Sequence, residues 1–134
     1  MKYLVTGGAG FIGSHLLDYL ISKGDIVVCI DDLSSGIKEN MPISDNLRFI
    51  NTSIQNIGKD SHLKGIKGIF HLAAQASVPF SINNLYESSS NNFLSTLKVW
   101  SLAKELNVPI VFASSSAIYG NLALGNDEID EYDI

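Results

Sequence analysis

Near the amino terminus, Thr6-Gly7-Gly8-Ala9-Gly10-Phe11-Ile12-Gly13 gathers four of the chain's eleven glycines into eight residues. Two patterns overlap there: Gly-x-x-Gly-x-x-Gly at 7, 10 and 13, and Gly-x-Gly-x-x-Gly at 8, 10 and 13. Each glycine has a separate physical use. Gly7 permits a tight turn, Gly10 lets backbone approach a pyrophosphate with no Cβ in the way, and Gly13 lets a helix pack closely on a sheet. The amides at the start of that helix then face the phosphates. The window follows an apolar run and opens a helical pattern, which is the context such a turn requires. Asp31 closes the next apolar run, 18 residues after Gly13. A carboxylate there accepts both ribose hydroxyls of an adenosine and repels a 2′-phosphate. No arginine follows closely, and Lys38 is seven residues on. The expected ligand is therefore NAD rather than NADP.

These residues need strands and helices to hold them. Tyr3 to Thr6, Ile26 to Ile30, Leu47 to Asn51, Ile66 to Leu72 and Ile110 to Ala113 read as strands. Residues 11 to 23 carry Phe11, Ile12, Leu16, Leu17, Leu20 and Ile21 at helical spacing, with Gly24 as the stop. Residues 33 to 46 read as loop and 54 to 65 as weakly helical, while Leu85 to Leu106 is a longer helix. Residues 120 to 134 read as an acidic loop. Continuous apolar strands alternating with helices point to an α/β fold whose parallel sheet is covered on both faces. The expected form is a Rossmann-type doubly wound sheet of order 3-2-1-4-5, incomplete at its carboxyl-terminal side, with the ligand across the carboxyl ends of the strands.

Composition narrows the function. The chain has 134 residues, 46% hydrophobic and 17% charged, which suits one globular domain. Its net charge of −5 offers no basic footprint for nucleic acid. No apolar run approaches the ~18 residues that a membrane-crossing helix needs. Cys29 is the single cysteine, so neither an internal disulfide nor a cysteine-based metal site is expected, and a reducing cytoplasm is the simplest compartment.

Five ordered segments carry a resemblance. They are Val5 to His15, Asp31 to Gly36, His71 to Val78, Asn91-Asn92, and Ala113 to Gly120. Together they resemble the N-terminal half of extended short-chain dehydrogenases/reductases. The match is to the NAD-dependent sugar-nucleotide epimerase/dehydratase group, and within it the pattern is most like UDP-glucose 4-epimerases. The resemblance implies an NAD-binding domain over 1–134. Phe11 and Ile12 would bring backbone amides to the pyrophosphate beside Gly7, Gly10 and Gly13. Asp31 would hold the adenine ribose, with Asp32, Ser34 and Ser35 lining that end. Leu72, Ala73 and Ala74 would pass beside the cofactor, and Asn92 would organise the site from mid-helix. Ser53, with Ile54 after it, stands where the family often has an aspartate against adenine. Gln75, Ser77 and Ser81 would face the sugar. Ser115, four residues before Tyr119, occupies the place of the catalytic serine or threonine.

The same resemblance implies an activity. A tyrosine base removes a sugar hydroxyl proton while hydride passes to NAD, and the 4-keto sugar takes the hydride back on its other face. The substrate would be a UDP-hexose. Ser116-Ala117 replaces the acidic pair that 4,6-dehydratases place after their catalytic threonine, which argues for epimerisation. The family's Tyr-x-x-x-Lys pair is expected beyond Ile134, as is most of the sugar site, so the chain would hold the cofactor-binding half and be inactive alone. The string Tyr19 to Lys23 has the right spacing but lies on the first helix, where packing explains it. The alternatives are a 4,6-dehydratase or decarboxylase of the group, and a non-catalytic NAD-binding module.

Other residues have plainer readings. His15 is expected to pack or cap, His62 to be exposed, and His71 to make structural hydrogen bonds at a strand end. Cys29 is expected to be buried in its strand. Phe93, Leu94, Leu97 and Trp100 form an apolar face expected first to pack in the core, with part of it available for a homodimer through helix 85–106.

Overall fold

The computed structural model describes residues 1–58 and 61–115. Its five strands are β1 (Lys2–Thr6), β2 (Ile26–Asp31), β3 (Leu47–Asn51), β4 (Gly68–His71) and β5 (Ile110–Phe112). All neighbours pair in parallel, in the order β3-β2-β1-β4-β5. Winding proceeds outward from β1 in one direction and then, from β4, in the other. The reversal leaves a crevice at the carboxyl ends of β1 and β4, where α/β sheets of this kind take their ligands.

Alternation along the strands divides the core in two. Leu4, Val28, Ile30 and Ile69 face one side, against Val99, Leu102 and Ala103 of helix α3 (Leu85–Leu106). Val5, Val27 and Cys29 face the other, against Leu17 and Leu20 of helix α1 (Phe11–Ser22). Both faces of the central strands are covered, and so their sequences read as unbroken apolar runs. The outer strands differ: β3 and β5 are only partly covered, and Val111 and Phe112 are at least half exposed.

The expected order and all five strands are present, with ends shifted by one or two residues. β4 is shorter than its apolar run, because Ile66 and Lys67 lie ahead of the paired segment. Two local readings change. Among its described residues, the stretch read as weakly helical has 3₁₀ turns at Ile54–Asn56 and Ser61–Leu63 and no α-helix. An additional helix, α2 (Val78–Asn83), precedes α3. Ser77 caps it by accepting from the Phe80 amide at 3.4 Å, and Pro79 sits in its first turn.

The apolar face of α3 requires the larger correction. Phe93, Leu94, Leu97 and Trp100 are 64%, 44%, 44% and 55% exposed, so they do not pack in the core. The buried stripe is Ser88, Ser95, Val99, Leu102 and Ala103. Small residues let α3 approach the sheet closely, and the bulky ones are left on the outer side. His62 is half-buried rather than exposed. No helix among the described residues is long and apolar enough to cross a membrane.

Candidate functional site

The turn from β1 into α1 is built from absent side chains. Gly7 has φ +73°, and a Cβ there would lie 2.6 Å from the Ala73 amide nitrogen. At Gly13 a Cβ would lie 2.1 Å from the Gly7 carbonyl oxygen, so the first turn of α1 rests directly on the preceding loop. Gly10 differs from both. It has ordinary backbone angles as the N-cap of α1, and a Cβ there would meet only the Gly7 oxygen, at 3.3 Å. Neither strain nor a severe clash calls for glycine at 10. The space in front of it belongs to the cleft, which is what close approach of a phosphate would use. No side chain caps α1, leaving its first amides for a ligand.

Asp31 stands across from this turn. It is buried, and both carboxylate oxygens accept backbone bonds: Oδ2 from Ala9 N–H at 2.9 Å and Oδ1 from Leu33 N–H at 2.8 Å. It thereby ties the glycine turn to the end of β2. Each oxygen keeps further lone-pair capacity for a ribose hydroxyl. Gly36 completes the corner, since a Cβ there would lie 2.7 Å from that of Ala9. Beneath it, Cys29 packs with its Sγ against Gly8. Burial, with a further push from the Asp31 charge, raises the Cys29 thiol to about 12, which leaves it an inert core group.

The opposite wall is held by polar side chains. The Asn92 amide clamps the backbone of Gln75: Oδ1 accepts from Gln75 N–H at 2.7 Å, and Nδ2 donates to Gln75 C=O at 3.1 Å. Gln75 Oε1 in turn accepts from Ser77 N–H at 2.6 Å. Further out, Gln55 Nε2 donates to Ser95 Oγ at 3.3 Å and to Asn91 C=O at 3.4 Å, fastening the segment after β3 to α3. Ser53 Oγ accepts from Gln55 N–H at 3.4 Å, as an N-cap does.

Between the walls lies a cleft of about 730 Å³, within the usual range for small-molecule sites. It is lined by Gly7, Gly10, Phe11, Ile12, Gly13, Asp31, Asp32, Ser34, Ser35, Ser53, Ile54, Leu72, Ala73, Ala74, Gln75, Ser77 and Asn92, all singled out in the sequence. Asn91 of the Asn91-Asn92 pair also lines it, as do Thr52, Gln55, Phe80, Glu87 and Ser95, which were missed. Their helical and loop positions carry no motif that would have marked them. Ser81 is not among the lining residues, and its hydroxyl donates to Val78 C=O at 2.8 Å. Ser115 is exposed just past Ala113, which does line the cleft, but is itself outside the lining set. Ser116, Ala117, Tyr119, Gly120 and the acidic stretch 120–134 lie outside the described residues.

The three histidines separate cleanly. His15 is exposed, with Nδ1 2.8 Å from the Phe11 carbonyl oxygen and its ring against that of Phe11. His71 is 2% exposed and hydrogen-bonded at both nitrogens, to Thr6 and Thr96. His62 lies in the 3₁₀ turn before β4. Tyr19 and Lys23 pair with each other on α1, the ammonium 5.3 Å from the ring centre, and neither lines the cleft.

The chain is 37% identical over 122 residues to UDP-glucuronic acid decarboxylase 1 of Arabidopsis thaliana, covering 90% of this chain and 28% of that protein. It is 38% identical over 121 residues to a putative UDP-glucose 4-epimerase of Methanocaldococcus jannaschii, covering 87% and 39%. It thus spans well under half the length of these relatives. Among solved structures it resembles the Thermus thermophilus UDP-glucose 4-epimerase in complex with NAD, with a TM-score of 0.80 and 32% identity, covering 97% of this chain and 43% of that one. Residues 3–133 match the sequence model of the NAD dependent epimerase/dehydratase family, and with this fold and this cleft the chain belongs to that family.

Proposed function

We propose that residues 1–134 form the NAD-binding domain of a sugar-nucleotide 4-epimerase acting on a UDP-hexose. The observation that carries this reading is the convergence on one cleft of an uncapped helix start at Gly10 and the buried Asp31 carboxylate. The α1 amides would receive the pyrophosphate and Asp31 the adenine ribose. Ser53, Ile54 and Gln55 would border the adenine, and Ala73 to Gln75 the nicotinamide end. When bound, NAD supplies a reversible hydride acceptor. Ser115 would donate a hydrogen bond to the sugar oxygen as charge develops there. The exposed α3 face at Phe93, Leu97 and Trp100 would pair with a second copy.

Calorimetric titration with NAD and NADP tests the cofactor reading. NAD should bind more tightly, because the Asp31 carboxylate repels a 2′-phosphate; equal or tighter NADP binding would sink it. The likeness to a UDP-glucuronic acid decarboxylase supports a second reading, decarboxylation of a UDP-uronic acid. Product analysis of the complete enzyme separates the two: release of CO₂ from a uronic acid excludes the epimerase, and interconversion of 4-epimers supports it.

A further inference from the structure

His71 closes a ring of hydrogen bonds around the floor of the cleft. Thr6 and His71 are register partners at the ends of β1 and β4. One arm is short: His71 Nδ1 lies 2.7 Å from Thr6 Oγ1, and that oxygen accepts from Ala73 N–H at 3.2 Å. The other arm is longer. His71 Nε2 lies 3.4 Å from Thr96 Oγ1, which donates to Asn92 C=O at 2.9 Å, and the Asn92 side chain clamps Gln75. The Ala73 end of the segment Ala73–Gln75 therefore hangs on the imidazole through Thr6, whereas the Gln75 end is held by the Asn92 side chain.

Proton accounting selects a single state. Thr96 spends its hydroxyl proton on Asn92 C=O, so toward Nε2 it can only accept, and Nε2 carries the ring proton. Nδ1 is then bare and accepts from the Thr6 hydroxyl, whose oxygen still accepts from Ala73. In neutral His71 every group has a partner. In charged His71, Nδ1 becomes a donor, both contacts of Thr6 Oγ1 donate to it, and its own proton loses its acceptor. Thr6 is fully buried, so water does not replace that acceptor. Among the described residues, Thr6 of β1, Thr96 of α3 and Phe112 of β5 contact the ring, and none of these three is charged or titratable. Burial accordingly holds the His71 pKa below its ordinary value.

We propose that neutral His71 is a positioning residue that holds the cleft floor at Ala73 through Thr6, and that charging it releases that end of the floor. The ligand consequence rests on the dinucleotide reading above; the hydrogen-bond relay does not. The test uses the intact chain labelled with ¹⁵N. Imidazole shifts at neutral pH should show Nε2 protonated and Nδ1 bare. Protection of the Ala73 amide should fall at least about tenfold as His71 takes up a proton, while that of Gln75, held by the Asn92 side chain, should change less. His71→Gln keeps a donor and an acceptor but cannot titrate, so its protection should stay flat over the same range. In NAD titrations between about pH 5.5 and about pH 8, binding should weaken toward acid for the unaltered chain and for His15→Gln, and should stay level for His71→Gln. The opposite tautomer, or protection at Ala73 that ignores the charge on His71, overturns the proposal. Failure of NAD to bind at the alkaline end, with the amides behaving as stated, overturns the dinucleotide reading and supports the relay.

Discussion

On the α1 side of the cleft, Gly7 and Gly13 leave room for backbone to approach backbone, and Gly10 opens onto the cleft. On the α3 side, Asn92 and Thr96 reach out to Gln75 and His71, and Gln55 reaches in from the segment after β3 to Ser95. The two helices differ in the same sense. Helix α1 buries Gly13, Ser14, Leu17 and Leu20, whereas α3 buries two serines, an alanine, a valine and a leucine and turns Trp100 outward. A glycine turn is rigid because a steric minimum holds it, and it has no charge state to lose. A polar network is rigid only while each donor meets an acceptor. The first wall should answer to volume, the second to hydrogen-bond count and pH.

The largest expected difference lies between two leucines. Leu17→Ala on α1 removes a fully buried side chain and should cost about 2–5 kcal/mol of stability. Leu97→Ala on α3, at 44% exposure, should stay within about 0.5 kcal/mol at a protein concentration low enough to keep copies apart. Denaturant unfolding of both variants measures the gap, and equal losses would mean that the outer face of α3 is covered.

Next come the glycines. Gly13→Ala drives a methyl into the Gly7 carbonyl and should cost about 1–3 kcal/mol along with NAD affinity. Gly10→Ala should leave thermal stability almost unchanged and still weaken NAD binding. If Gly10→Ala binds NAD normally, the space in front of Gly10 is not where the phosphates sit.

On the polar wall, Asn92→Leu strands both backbone groups of Gln75 and should cost about 1–3 kcal/mol, with Asn92→Asp recovering only the bond from Gln75 N–H. Unfolding measurements on the pair would show whether the clamp depends on both bonds.

The smallest effect is the pH dependence of stability. His71 binds its proton less readily folded than unfolded, since burial lowers its pKa. Its contribution is therefore complete above the ordinary histidine value and is lost as pH falls from there through the lowered one. Stability of the unaltered chain should decline over that interval more than that of His71→Gln, as read from paired melting curves.

The α1 wall was legible in the sequence because its information is local. Gly7 to Gly13 lie within two turns of each other, and steric demands on a backbone are written in residue type. Asp31 was equally legible, as a carboxylate at the end of an apolar run. The strand order was read from strand–helix alternation behind the glycine turn, which marks a Rossmann-type sheet. The relay was not legible. Thr6, His71 and Thr96 are separated by 65 and 25 residues and come together only through sheet register and the docking of α3. The reading of α3 failed for the same reason. Helical periodicity finds an apolar stripe but does not say which stripe meets the sheet, and close packing chose the small residues. Local sterics and patterning determined the elements and the phosphate-facing turn. Only tertiary contact decided which face of α3 is core and which side chains share protons, because those outcomes depend on distances between residues far apart in the chain.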